Sequence, residues 1–357
     1  MTSGRPDLGA ANLLMNCVKA RAGESLVLVT EGASSDHYDR HLPHIIAEVA
    51  NELGCRVRIE EARTDQKPDE ALEDLKRLIE GQDHAVILNR LGDRVRFNAT
   101  PPNTSMTMVY ALDRGLLGSP FGVLQHGLMR DIKNSFEDCL DQSGTWRITC
   151  PLGTDLSGSF RPAPRSALDF SVDLFPVPTF KPVPCDDAEG RVAVAHWLMG
   201  TDVHAYGDDI LLIEEPIFAV VKGGRIRGYE GPARVVSKVK EHYRRVAEMF
   251  GLDETRVGSW HAGIHPKAYY PVSARANLAR WGSVAFANPR YLHFHTCGTE
   301  PGEISWSLFD STITLDGQTF YEEGQFVYLE TPRVAEICRA YETHQSELAM
   351  IRDIGID

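Results

Sequence analysis

No CxxC pair occurs among the seven cysteines of this 357-residue chain, and their odd number leaves no complete disulfide framework. Cys17, Cys55, Cys139, Cys150, Cys185, Cys297 and Cys338 stand singly. Such spacing excludes a cysteine-built zinc module and points to reduced thiols in a cytoplasmic protein. Cationic charge is scarce too, with 37 Lys+Arg against 50 Asp+Glu and a formal net charge of -13. No basic stripe is present to replace the counterions of a polyanion, so the expected partners include no nucleic acid and no membrane. The densest basic stretch, "SKVKEHYRR" at 237 to 245, reads as the solvated face of a helix. Long apolar runs are absent, none approaching the ~18 residues that a membrane-spanning helix needs. The first residues, "MTSGRPDLGAANLL", lack a basic segment followed by an apolar one, so an untethered cytosolic protein is expected.

The first 150 residues alternate strand and helix signals. "SLVLVTEG" is a β-branched and leucine run closed by glycine, and the helical pattern "YDRHLPHIIAEVANELG" follows it. "CRVRIEEA", the helix "PDEALEDLKRLIEG", "HAVILN", "SMTMVYALDRGLL" and "FGVLQHG" continue the rhythm. This βαβ periodicity predicts an α/β N-terminal domain, residues 1–150, with an open, mostly parallel sheet. Beyond it, prolines crowd between 162 and 184, and short strands with turn signals take over. "PIFAVVKGGRIRGYEG" predicts a hairpin around Gly-Gly, and a long amphipathic helix is expected at about 233 to 250. Residues 151–357 are therefore expected to form a β-rich α+β C-terminal domain.

One stretch of this second half, "SWHAGIHP" at 259 to 266, places His261 and His265 four residues apart. On a helix they would share a face, but Gly263 and Pro266 disfavour that helix. As a strand, Ser259, His261, Gly263 and His265 fall on one face, with Trp260, Ala262 and Ile264 on the other. "YLHFHTCG" repeats the pattern, with His293 and His295 two residues apart.

The order of landmarks "ITCPLGTDLSGSF", "PIFAVVKGGRIRGYEG", "GSWHAGIHPKA", "YLHFHTCG" and "SWSLFDSTITLDGQTFYEEGQF" resembles two related families. These are the metallo-aminopeptidases of the thermophilic aminopeptidase T type and 2,5-dihydroxypyridine 5,6-dioxygenase, a non-haem Fe(II) enzyme. The resemblance implies an aminopeptidase T-like fold, a metal in the β-rich domain, substrate where the two domains meet, and a homodimer. The family's ligand positions are altered here. Ser259 stands where both families place a ligand, Ser305 and Ser307 stand at a His-x-Asp pair, and Pro178 falls where the peptidases carry a glutamate. A serine hydroxyl stays neutral near pH 7 and is a poor ligand for a divalent metal.

Four histidines flank the altered site. His261, His265, His293 and His295 are the candidate metal ligands, for a divalent metal with Fe(II) favoured and Zn or Mn possible. Without a metal, His261 or His265 is a candidate general base, and Ser259, Ser305 and Ser307 are candidates to hold a polar small-molecule substrate. Three readings stay open: a metal-dependent ring-cleaving dioxygenase acting on an N-heterocyclic or hydroxylated aromatic acid, a hydrolase for amide cleavage or deamination, and a non-catalytic ligand-binding relative. Arg130, Lys267 and Arg290 are candidate cations for an anionic substrate. His204 with Asp208 and Asp209, His126, and Cys297 are weaker site candidates, read first as a turn, a helix start and a buried thiol. His37, His41 and His44 read as surface residues on one helix face.

Overall fold

The computed structural model describes residues 4–32, 36–62, 68–92, 103–160, 172–201, 210–298 and 303–356. His204, Asp208 and Asp209 lie outside them.

The N-terminal half builds a five-stranded parallel sheet. From one edge to the other its strands are Arg56–Glu61, Ser25–Thr30, His84–Leu88, Ser105–Val109 and Asp173–Phe175. All four pairings are parallel. The run "SLVLVT" is apolar on both faces because it lies inside the sheet, and Leu26, Val27, Leu28 and Val29 are fully buried. Arg56–Glu61 alternates charged and apolar residues and is largely exposed, as befits an edge. The last strand of this sheet comes from residues 173–175, beyond the first antiparallel strands of the chain.

Two antiparallel sheets follow. The eight-stranded one runs Ile226–Glu230, Ile217–Lys222, Glu189–Val194, Asp155–Ser159, Thr145–Thr149, Thr312–Leu315, Gln318–Glu322, Gln325–Phe326. Its first hairpin turns at Gly223 and Gly224, whose φ angles of 59° and 65° are the left-handed pair that a two-residue turn requires. The six-stranded sheet runs Leu211–Leu212, Trp197–Gly200, Ile304–Phe309, Tyr291–Thr296, Val257–Ala262, Val183–Pro184. "RVAVAHWLMG" is divided between the two sheets, with His196 at a φ of 63° forming the corner.

The two antiparallel sheets enclose the largest core, in which Trp146 of one meets Trp260 of the other with ring centroids 5.5 Å apart. A second core joins the opposite side of the six-stranded sheet to the parallel sheet through Trp197, Trp281 and Tyr291. Helix Leu278–Ala285 is the connecting piece. Asn277 caps it, and Arg280 ties it to the N-terminal half through Asp113 at 2.5 Å and the His37 carbonyl at 3.0 Å.

Two sequence expectations need correction here. "FGVLQHG" is not a strand: Ser119 caps a short helix, Pro120–Val123, and helix His126–Gln142 follows directly. A capping serine followed by proline is a helix start that outweighs the apolar run. His37 is buried and precedes helix Leu42–Glu52, whereas His41 and His44 are exposed. Among the described residues, no helix is long and apolar enough to cross a membrane.

Candidate metal centre

Three neighbouring strands of the six-stranded sheet build the centre. Across Val257–Ala262, Tyr291–Thr296 and Ile304–Phe309 the register aligns Ser259, His295 and Ser305 in one row, and His261, His293 and Ser307 in the next. Side chains alternate along each strand, so these six residues share one face. Trp260, Phe294 and Trp306 form the matching row on the other face and anchor it in the core. Both faces are covered, and all six polar side chains are buried.

Three imidazoles converge within this grid. His261 Nε2 lies 2.6 Å from His293 Nε2 and 3.1 Å from His295 Nε2. Their ligand atoms all fall within 4.8 Å of one another, and the group among the described residues consists of these three histidines alone. His261 Nδ1 lies 3.2 Å from the Phe180 carbonyl, which only accepts, so Nδ1 carries the proton and Nε2 turns its lone pair into the cluster. Two nitrogens bound to one metal at ~2.1 Å stand roughly 3.0–3.4 Å apart. The His261–His295 spacing already matches, and the His261–His293 spacing would have to open slightly. As it stands, the short contact has the length of a hydrogen bond between the two ring nitrogens. The donor set therefore fits a divalent metal, and as three neutral imidazoles it would leave the metal its full charge.

The other predicted residues divide. Ser259, Ser305 and Ser307 stand in the grid beside the histidines. Pro178 lies beside the same segment, its carbonyl accepting from Ile264 N at 3.0 Å. His265 does not join them. The strand ends at Ala262, Gly263 bridges to Thr179, and the chain turns so that His265 N bonds the Ala287 carbonyl at 2.8 Å. Gly263 permits this because a Cβ there would lie 2.3 Å from the Asn288 oxygen. The His265 ring instead meets the Phe121 ring edge-on at 4.8 Å, fully buried. Burial, with His126 and Lys267 nearby, holds its pKa down to about 3, so it is a neutral packing residue at physiological pH.

The remaining candidates stand elsewhere. Arg290 forms a two-pronged pair with Asp310 at 2.7 and 2.8 Å, Lys267 donates to the Ala349 carbonyl at 2.6 Å, and Arg130 pairs with Asp131 at 3.3 Å. Burial pushes the Cys297 thiol up to about 12, with Glu303, Glu254 and Asp253 adding to it, which makes a nucleophilic thiolate unavailable near neutral pH. Thr154 of "GTDL" is structural: its hydroxyl accepts from Ala193 N at 2.9 Å.

Beside the histidines lies a cavity of about 80 Å³, lined by His293, His295 and Ser305 on the sheet, Gly282 and Ser283 on the connecting helix, and Tyr110 just after parallel strand Ser105–Val109. It thus opens where the parallel half meets the six-stranded sheet, at the carboxyl end of a parallel strand, a usual location for ligands in such sheets. Tyr291, Met199 and Phe286 also line it. Tyr291 was legible in principle, since it precedes His293 by two residues on one strand face; the other wall residues are brought in only by the fold.

Comparison with known proteins agrees with the architecture. The chain matches no protein-family model and no curated protein in sequence. Its fold matches 2,5-dihydroxypyridine dioxygenase from Pseudomonas putida KT2440, with a TM-score of 0.60, 15% identity, and coverage of 90% of this chain and 96% of that one. It also matches the aminopeptidase AmpT from Thermus thermophilus, with a TM-score of 0.52, 13% identity, and coverage of 90% and 99%. The mixed α/β architecture, with one parallel sheet and two antiparallel sheets, is consistent with the fold expected from the sequence landmarks and is shared with these two proteins.

Proposed function

We propose that this chain is a metal-dependent small-molecule enzyme whose metal is held by His261, His293 and His295. Its activity, on this reading, is that of a non-haem Fe(II) dioxygenase opening the ring of an N-heterocyclic or hydroxylated aromatic compound. The observation that carries the proposal is the convergence of three buried Nε2 atoms, with the His261 tautomer set by the Phe180 carbonyl. Bound Fe(II) would supply Lewis acidity and a place for oxygen. The protein supplies the rest. The rows anchored by Trp260, Phe294 and Trp306 fix the imidazoles, and the apolar walls from Met199 and Phe286 keep bulk water from a flat ligand. Serines at positions 259, 305 and 307 offer no bridging carboxylate, so two-metal peptidase chemistry is not supported.

The test is oxygen uptake by protein loaded anaerobically with Fe(II), offered a panel of dihydroxypyridines and dihydroxybenzoates. Consumption of oxygen with loss of ring absorbance is expected for at least one, and abolition in His293→Ala. A fully loaded protein that consumes no oxygen on any of them would overturn the dioxygenase reading. A three-imidazole donor set also suits hydrolytic zinc sites. Amide cleavage or ring deamination by the zinc-loaded protein is accordingly the second reading.

A further inference from the structure

Tyr291 stands in the same file of side chains as His293 and His295 and lines the same cavity. Its ring lies nearly parallel to the His293 ring, 5.4 Å away at 20°, and is backed by Phe309 at 5.4 Å and Trp281 at 5.2 Å. These contacts leave the ring one position. Its hydroxyl shares a hydrogen bond of 3.0 Å with Ser307 Oγ.

A second observation points the same way. Ser305 Oγ is buried, lines the cavity and has no hydrogen-bond partner among the described residues. An unsatisfied buried hydroxyl facing a cavity is costly unless a ligand or water completes it. The described cavity wall holds no lysine or arginine. A ligand group lying against that wall meets hydroxyl donors and acceptors beside the two imidazoles.

We propose that Tyr291, held by Ser307 and assisted by Ser305, is a substrate-binding residue that reads a hydroxyl or carbonyl oxygen of a small ligand beside His293. The inference rests on the enzyme reading above but makes a separate claim about binding. The cavity of 80 Å³ is smaller than the roughly 150 Å³ that accepts benzene in an apolar cavity, so a ring would enter by one edge, presenting its oxygen first.

The test compares two probes, pyridine and 3-hydroxypyridine, by calorimetric titration of the purified full-length protein, with metal content measured on the same samples. The wild type should bind 3-hydroxypyridine about tenfold tighter than pyridine, the value of one buried neutral hydrogen bond. Tyr291→Phe should erase the preference for the hydroxyl while leaving the affinity for pyridine and the metal content unchanged. An unaltered preference in Tyr291→Phe, or no binding of either probe, would overturn the proposal. Should Tyr291→Phe fail to fold, Ser305→Ala decides: a reduced preference supports the proposal and an unchanged one refutes it. A wild type that takes up no added divalent metal yet still shows the Tyr291-dependent preference would defeat the enzyme reading and leave this inference standing.

Discussion

His261→Ala will lower the affinity for a divalent metal by at least ~100-fold, because removing a ligand costs no less than removing a group that merely orients one. The effect should exceed that of any other single histidine replacement, since His261 Nε2 is the atom common to both short contacts of the cluster. It should also appear in stability. A metal at a hundred times its dissociation constant adds about 2.7 kcal/mol to a protein that binds it only when folded. The wild-type melting midpoint should therefore rise on addition of Fe(II), Zn(II) or Mn(II), and that of His261→Ala should stay where it is. His265→Ala is the control that separates this account from a general loss of structure. His265 lies against Phe121, away from the cluster, so its removal should lower the melting midpoint through a core cavity and leave metal content unchanged. Metal analysis and thermal melting of the three purified proteins check this, and metal retained by His261→Ala or lost by His265→Ala would count against the assignment.

Acid should weaken the fold well above the range where carboxylates titrate. His265 is held down to about 3, and His126 and His242 to about 4, each from an ordinary value of 6.5 and each chiefly by burial. Lys267 and His126 add to this at His265, Arg130 and Lys19 at His126, and Arg245 at His242. The direction follows from proton uptake. Between its folded and unfolded pKa, each histidine is neutral in the native state and protonated in the unfolded one, so unfolding binds a proton. Stability is full above about pH 6.5 and is lost as pH falls toward the folded values, at about 1.4 kcal/mol per pH unit for each histidine. Urea unfolding of the chelated protein should show a loss on the order of 2 kcal/mol per buried histidine between pH 7 and pH 5. His265→Leu removes one such titration and should make the slope shallower by about a third of that combined loss. A stability independent of pH over this interval, or a slope identical in His265→Leu, would show that the histidine is not buried neutral.

Much of the fold was legible because local signals agreed with it. "SLVLVT" and "HAVIL" are buried parallel strands, the Gly-Gly hairpin turns where expected, and the long helix Ala233–Phe250 matches its amphipathic pattern. The centre was legible by the alternation of side chains along strands, which put His293 and His295 on one face and His261 on another strand's face. That alternation also misled at His265, because it was extended past Gly263, where the chain leaves the strand to pass close to Asn288. Whether a strand continues through a glycine is decided by what packs against it, and that information lies some twenty-five residues away at Ala287 and Asn288. Tyr291 shares the same alternation, but a tyrosine beside two histidines carries no metal signal and drew no notice. Tyr110, Met199 and Phe286 belong to three separate parts of the chain and become a wall only when the parallel half docks on the six-stranded sheet. The cations suggested for an anionic substrate were ordinary ion-pair and capping residues, which spacing alone does not distinguish from ligand-binding ones.

The account depends on three imidazoles sharing one metal. X-ray absorption at the metal edge of the loaded wild-type protein tests this directly. It should show nitrogen ligands at about 2.0–2.2 Å with the outer scattering of three imidazole rings and no sulfur, the remaining positions being filled by water or another light atom. A protein that takes up no metal, or a bound metal with fewer than two imidazoles around it, would contradict it.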